Sequence, residues 1–174
     1  LLGSRDVVDG IEWAKTLKAQ GAAVGKLVEN GKSRFSGPVL QGKTLGVIRL
    51  GGIGGLVATA APALDMRVVG YDPFLSVDHA WRLSRQVEHA ASQDEVLDKR
   101  DYVTLHVPLM AATKGSFGAD VFAKMKPCSV LLHLPRGQLV QPQAMLAAPT
   151  PSNIPRYLHD FPSHHPLRLT RVTP

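Results

Sequence analysis

Between Thr44 and Asp72 the sequence reads TLGVIRLGGIGGLVATAAPALDMRVVGYD, and this stretch leaves few folds open. Leu45 to Leu50 is an apolar run with the length and β-branched content of a buried strand. Glycines cluster at Gly51, Gly52, Gly54 and Gly55, and a small-residue helical pattern runs from Ile53 to Leu64. A second apolar run, Met66 to Tyr71, ends on Asp72. Strand, tight turn, helix, strand and acid in about 30 residues make one βαβ unit.

Such a unit has a chemistry of its own. Glycines let a backbone turn sharply and approach a pyrophosphate, while the following helix offers unpaired N–H groups and the positive end of its dipole. An acid closing the second strand accepts the hydroxyls of an adenosine ribose and disfavours a 2′-phosphate. Asp72 lies about 20 residues after Gly51, the offset this role requires. A full Gly-x-Gly-x-x-Gly fingerprint places glycine at 49, 51 and 54, and position 49 is Arg. A long cation there can reach toward phosphates, but its Cβ and stem occupy space at the turn. If the turn needs a positive φ, Arg49 costs roughly 1–2 kcal/mol.

The remainder repeats the alternation of strand and helix. One helix is predicted over 5–30, with Val7, Val8, Ile11, Ala14, Leu17, Val24, Leu27 and Val28 near a 3.6-residue period and Gly21 and Gly25 weakening its middle. A glycine- and proline-containing loop over 31–43 leads into the first strand. After Asp72, a short helix is predicted over 78–83, a helix capped by Ser92 over 93–99, and a strand over 102–107 closed by Pro108. A helix over 119–125, a strand over 129–134, a turn at Arg136 and Gly137, a short helix over 143–148 and a strand over 154–159 complete the pattern. This alternation implies an α/β fold with a Rossmann-like doubly wound parallel sheet and ligands at the carboxyl ends of its strands. Asp72, His106, Arg136 and Asp160 fall at such ends.

Composition narrows the function classes. The 174 residues suit one domain with a sizeable core. The formal charge of +6 comes from scattered Lys and Arg with no basic run, so no nucleic-acid role is expected. Cys128 is the sole cysteine, no apolar run spans a membrane, and a reducing, cytoplasmic setting with no membrane partner is expected. His159, His164 and His165 lack neighbouring acids or cysteines, so no metal site is expected. His106 and His133, in or beside buried strands, read as structural.

The order GKTLGVIxLGxIG, YDPF, DYVTLHVPL, TKG, FAKMK and RGQLV resembles the D-isomer-specific 2-hydroxyacid dehydrogenases. SRDVVDGIEWAKTLK is most similar to the branch that oxidises 3-phosphoglycerate, at the entry to serine synthesis. The resemblance implies the nucleotide-binding domain alone, with the substrate domain absent. Residues 1–30 would form the domain-crossing helix that supports a homodimer, 31–162 the NAD-binding domain, and 163–174 an irregular tail leading toward the catalytic segment.

The resemblance also implies roles. Gly51, Ile53 and Gly54 would line the pyrophosphate of NAD, and Asp72 would hold the adenosine ribose and select NAD over NADP. Val107 and Pro108 would pack near the adenine, and Thr113 would lie close to the cofactor. Asp160 would contact the nicotinamide carboxamide, and Arg136 would grip a 2-hydroxy or 2-keto acid through its guanidinium fork. Asp72 read as a turn cap and Arg136 read as a surface turn residue are the plainer alternatives.

Departures from the family pattern fall mostly at positions with special backbone needs. Arg49, Asp65 and Cys128 stand where glycine is usual, and Pro62 lies in the helix after the glycine turn. Pro135 precedes Arg136, His165 stands in place of the family's Glu, and Val172-Thr173-Pro174 resembles the lead-in to the catalytic His. They leave open a second reading, a remnant that binds nucleotide weakly or not at all.

Overall fold

A computed structural model describes residues 4–134, 138–141, 143–144 and 156–159. The chain divides into two compact units, Leu1–Leu40 and Gln41–Pro174.

In the first unit the helix expected over 5–30 is two helices, α1 (Val7–Thr16) and α2 (Val24–Gly31). Between them Gly21 takes φ +51°, which a continuing right-handed helix cannot contain. The break lets the segment fold back on itself. Trp13 packs on Gly31, where a Cβ would meet the indole Cζ2 at 2.3 Å. Phe35 lies beside the same indole with ring centroids 5.1 Å apart, and the Arg34 guanidinium covers it at 5.2 Å.

Among the described residues the second unit holds a six-stranded sheet in the order β3-β2-β1-β4-β5-β6. The strands are β1 (Thr44–Ile48), β2 (Arg67–Tyr71), β3 (Val87–His89), β4 (Tyr102–Leu105), β5 (Val130–His133) and β6 (Arg156–His159). Every pairing is parallel, as a doubly wound sheet requires. Helices α3 (Gly52–Ala60), α4 (Val77–Arg82), α5 (Gln93–Leu97) and α6 (Ala119–Ala123) lie between strands in the chain. Strand β3 has no counterpart in the sequence reading, its three residues being too short for a periodic signal.

The core is built from Ile48, Val69, Val103, Leu105 and Leu131 of the strands, with Val96, Leu97, Val121 and Phe122 from α5 and α6. Strand β1 is buried along its whole length, which explains its continuous apolar run. Ser92 caps α5 as expected: its Oγ accepts from the Glu95 N–H at 3.1 Å, and Glu95 Oε2 accepts from the Ala91 N–H at 2.7 Å.

Register places the site. Ile48 lies beside Tyr71 on one side and Leu105 on the other. The Arg49 N–H donates to the Tyr71 carbonyl at 2.8 Å, and the His106 N–H donates to the Ile48 carbonyl at 2.9 Å. The residues that follow three strands, Arg49, Asp72 and His106, are thereby brought to one edge at the point where strand order reverses. At the opposite edge Asp101 Oδ2 accepts from the Thr44 N–H at 2.9 Å and Oδ1 from Lys126 Nζ at 2.7 Å. Burial alone would raise the Asp101 carboxyl, but the bonds from Lys126 and Thr44 and the charges of Lys126 and Lys43 hold it below the usual carboxylate range.

The glycine substitutions fall where backbone geometry is demanding. Arg49, Asp65 and Cys128 have φ of 76°, 56° and 62°. Lys99 joins them at 60°, without any signal in the sequence. Pro62 is accommodated because the α-helix ends at Ala60 and Ala61–Leu64 is a 3₁₀ turn with Pro62 near its start.

Candidate functional site

Strand β1 runs into Arg49 and then into buried Leu50, after which Gly51 in extended conformation precedes α3. The glycines here serve two purposes. A Cβ on Gly54 would lie 1.9 Å from the Arg49 carbonyl oxygen and 3.3 Å from His106 Cβ, so close packing of helix on strand forbids any side chain. Around Gly51 and Gly52 nothing lies within 4 Å of an added Cβ, so no protein contact requires their smallness. No side chain caps the start of α3. Its first N–H groups and the positive end of its dipole therefore face an open approach for an anion.

Beside this turn is a cleft of about 220 Å³ lined by Ile48, Arg49, Tyr71, Pro73, Phe74, Gln93, Val107, Pro108, Met110, Thr113, Ser116 and Phe117. Four features of the sequence meet in it: the end of β1, the YDPF turn, the segment after β4, and Thr113. The Thr113 hydroxyl donates to the Pro108 carbonyl at 2.6 Å and accepts from the Met110 N–H at 2.8 Å. It therefore fixes the loop that follows Val107 and Pro108.

Asp72 follows β2, and its carboxylate is turned inward, 5% exposed. Oδ2 accepts from the Leu50 N–H at 3.0 Å. Oδ1 accepts from the Phe74 N–H at 3.0 Å and from Arg49 Nη1 at 3.1 Å. The guanidinium also lies over the Phe74 ring, 4.9 Å from its centroid. Arg49, read from sequence as a cation able to reach toward phosphates, is directed to the acid instead. The plainer reading of Asp72 as a turn cap is seen here, since the carboxylate accepts from the Phe74 N–H while it also pairs with Arg49.

His106, at the base of α3, has Nε2 3.2 Å from Thr104 Oγ1. Burial lowers its pKa from the ordinary histidine value. Its position against Gly54 agrees with a structural part.

Of the residues singled out from sequence, Val107, Pro108 and Thr113 share the cleft. Gly51 and Gly54 form the turn beside it, and Ile53 is 71% exposed on the first turn of α3. Arg136 and Asp160 lie outside the described residues, as do Pro135, His165 and Val172 to Pro174. Phe74 and Gln93 line the cleft without having been singled out. Phe74 belonged to a motif already quoted, whereas Gln93 had no signal beyond its helix start. Among the described residues no group of three or more His, Cys, Asp or Glu is arranged to hold a metal. No helix among them is long and apolar enough to cross a membrane.

A dinucleotide fits two parts of this edge: the open, uncapped helix start and the apolar cleft. The third part, the carboxylate for a ribose diol, is already engaged by Arg49.

Comparison with known proteins agrees with this architecture. The family model for the D-isomer specific 2-hydroxyacid dehydrogenase, NAD binding domain, matches residues 8–171. D-3-phosphoglycerate dehydrogenase of Methanocaldococcus jannaschii is 38% identical over 117 residues, which cover 67% of this chain and 22% of that protein. Apo D-mandelate dehydrogenase of Rhodotorula graminis superimposes with a TM-score of 0.77 at 24% identity, over 95% of this chain and 47% of the other. NAD-dependent formate dehydrogenase of Staphylococcus aureus, solved with NAD, superimposes with a TM-score of 0.68 at 26% identity, over 92% and 44%. This chain spans under a quarter of the curated phosphoglycerate dehydrogenase and about half of the solved structures.

Proposed function

This chain belongs to the D-isomer-specific 2-hydroxyacid dehydrogenase family and carries its NAD-binding domain, and from that membership we propose that it holds a nicotinamide adenine dinucleotide along the carboxyl edge of its sheet. The observation that carries the reading is the pairing of an open, uncapped start of α3 with an apolar cleft at the switch point between β1 and β4. Gly51, Ile53 and Gly54 line the pyrophosphate, Val107 and Pro108 flank the adenine, and Thr113 keeps their loop in place. Asp72 stands at the adenosine ribose.

The wider activity is hydride transfer on a D-2-hydroxy acid, with the nicotinamide supplying the hydride acceptor. Asp160 orients the carboxamide, and Arg136 grips the substrate's carboxylate. We favour 3-phosphoglycerate as substrate because a phosphoglycerate dehydrogenase is the curated relative at 38% identity. A second copy of the chain is the expected partner, with the exposed Val7, Val8 and Ile11 of α1 as its contact.

Calorimetric titration of the chain with NADH and NADPH tests the reading. Saturable binding to one site is expected, and Val107→Glu, which places a charge in the cleft, weakens it by about tenfold or more. Failure of both nucleotides to bind, to this chain and to Arg49→Gly alike, would overturn the assignment.

A further inference from the structure

We propose that Arg49 sets the nucleotide specificity of this chain, so that its cleft accepts a 2′-phosphorylated adenosine, as in NADP, at least as well as the free ribose diol of NAD. The inference rests on the dinucleotide reading above and concerns only the adenosine end.

Three observations lead to it. The first is which charge the cleft presents. An acid at the end of the second strand excludes a 2′-phosphate by repulsion. Here Arg49 lines the cleft and Asp72 does not. Arg49 Nη1 lies 3.1 Å from Asp72 Oδ1, and the Arg49 side chain is 25% exposed against 5% for that of Asp72. The more accessible member of the pair is the cation, and the negative charge behind it is compensated.

The second is a count of acceptors. An ionised carboxylate offers about four lone-pair positions. Arg49 Nη1, the Phe74 N–H and the Leu50 N–H occupy three of those on Asp72. A ribose diol donating two hydrogen bonds finds one place, and gains a second only if Arg49 moves away.

The third is the state of the guanidinium. Asp72 engages one of its nitrogens, and the plane is steadied by Phe74 at 4.9 Å. An arginine has five N–H donors, and a planar fork held this way suits the oxygens of a phosphate monoester. Asp72 becomes the residue that aims Arg49, with Phe74 as its support.

Binding of NADPH and NADH, followed by calorimetry or nucleotide fluorescence, tests this without any turnover. For the unaltered chain NADPH binds at least as tightly as NADH, and its advantage shrinks as salt is raised. In Arg49→Gly the order reverses, with NADH favoured by about tenfold or more, because the acid is uncovered. Glycine is at ease at φ 76°, so this variant keeps its fold, which a thermal melt checks. Arg49→Lys, which keeps charge and loses the fork, falls between the two. A preference for NADH in the unaltered chain would sink the proposal while leaving the dinucleotide reading intact. Binding of NADH by Arg49→Gly alone would also overturn it, since Arg49 would then be a plug rather than a ligand.

Discussion

Among the described residues four side chains sit in left-handed backbone, and they differ in what they gain there. Arg49 makes an ion pair and a ring contact from its position, whereas Lys99 is largely exposed and approaches exposed Asp98 at 3.7 Å. An L-residue in this region costs roughly 1–2 kcal/mol, and glycine returns part of that gain through its looser unfolded state. Lys99→Gly and Cys128→Gly should each raise stability by about 0.5–1 kcal/mol, read as a shift in urea midpoint at unchanged slope. His106 gives a pH signature. Because burial lowers its folded pKa, the unfolded chain binds a proton first as pH falls below about 6.5. Stability contributed by neutral His106 is thus present above that pH and declines below it. His106→Gln should flatten the acid side of a stability–pH profile below about 6.5. At this scale the sequence was partly legible. Arg49, Asp65 and Cys128 were visible because they replace glycines of a known pattern, while Lys99 replaces nothing recognisable. The direction taken by the Arg49 side chain was hidden, because it depends on Asp72 and Phe74 being brought beside the turn by β-sheet register.

The helix after the glycine turn shows how one element serves both packing and ligand. Gly54 faces the strand and Gly52 faces outward. Gly54→Ala drives a Cβ against the Arg49 carbonyl and should cost about 3 kcal/mol, seen in chemical denaturation. Gly52→Ala meets nothing within 4 Å and should raise stability by up to ~1 kcal/mol. The same Gly52 variant should weaken dinucleotide binding, measured by titration, if the open face is where the pyrophosphate approaches. Element type was legible for the strands of the βαβ unit and for β4, whose apolar runs match buried parallel strands. Element length was not. The helix expected to continue to Leu64 yields to a 3₁₀ turn at Pro62, and the first long helix breaks at Gly21. Periodicity records which face is apolar and does not record where a single residue reverses the chain. Strand β3 leaves no mark in the sequence because it is held mainly by pairing with β2, a tertiary fact.

At the scale of the whole molecule, all six strands, the core cluster and the cleft lie within Gln41–Pro174, while α1 and α2 form a separate compact unit. Parallel pairing followed from the alternation of elements, whereas strand order was not legible, and the separate packing of the first unit rests on Trp13, Gly31 and Phe35 meeting one another. On the proposed reading, self-association belongs to the first unit and nucleotide binding to the second. Val7, Val8 and Ile11 stand 45%, 57% and 52% exposed on α1, an apolar surface of the kind that a second copy covers. A protein beginning at Gln41 should therefore keep a cooperative thermal transition and bind NADPH within about twofold of the full chain, because no cleft residue is removed. It should elute as a monomer in light-scattering chromatography while the full chain elutes as a dimer. Ile11→Asp in the full chain gives an independent check, since it should reduce the dimer to a monomer and leave the nucleotide titration unchanged. Loss of nucleotide binding on removal of 1–40 would mean that the first unit completes the site. A dimer that persists after that removal would place the contact on the sheet domain instead.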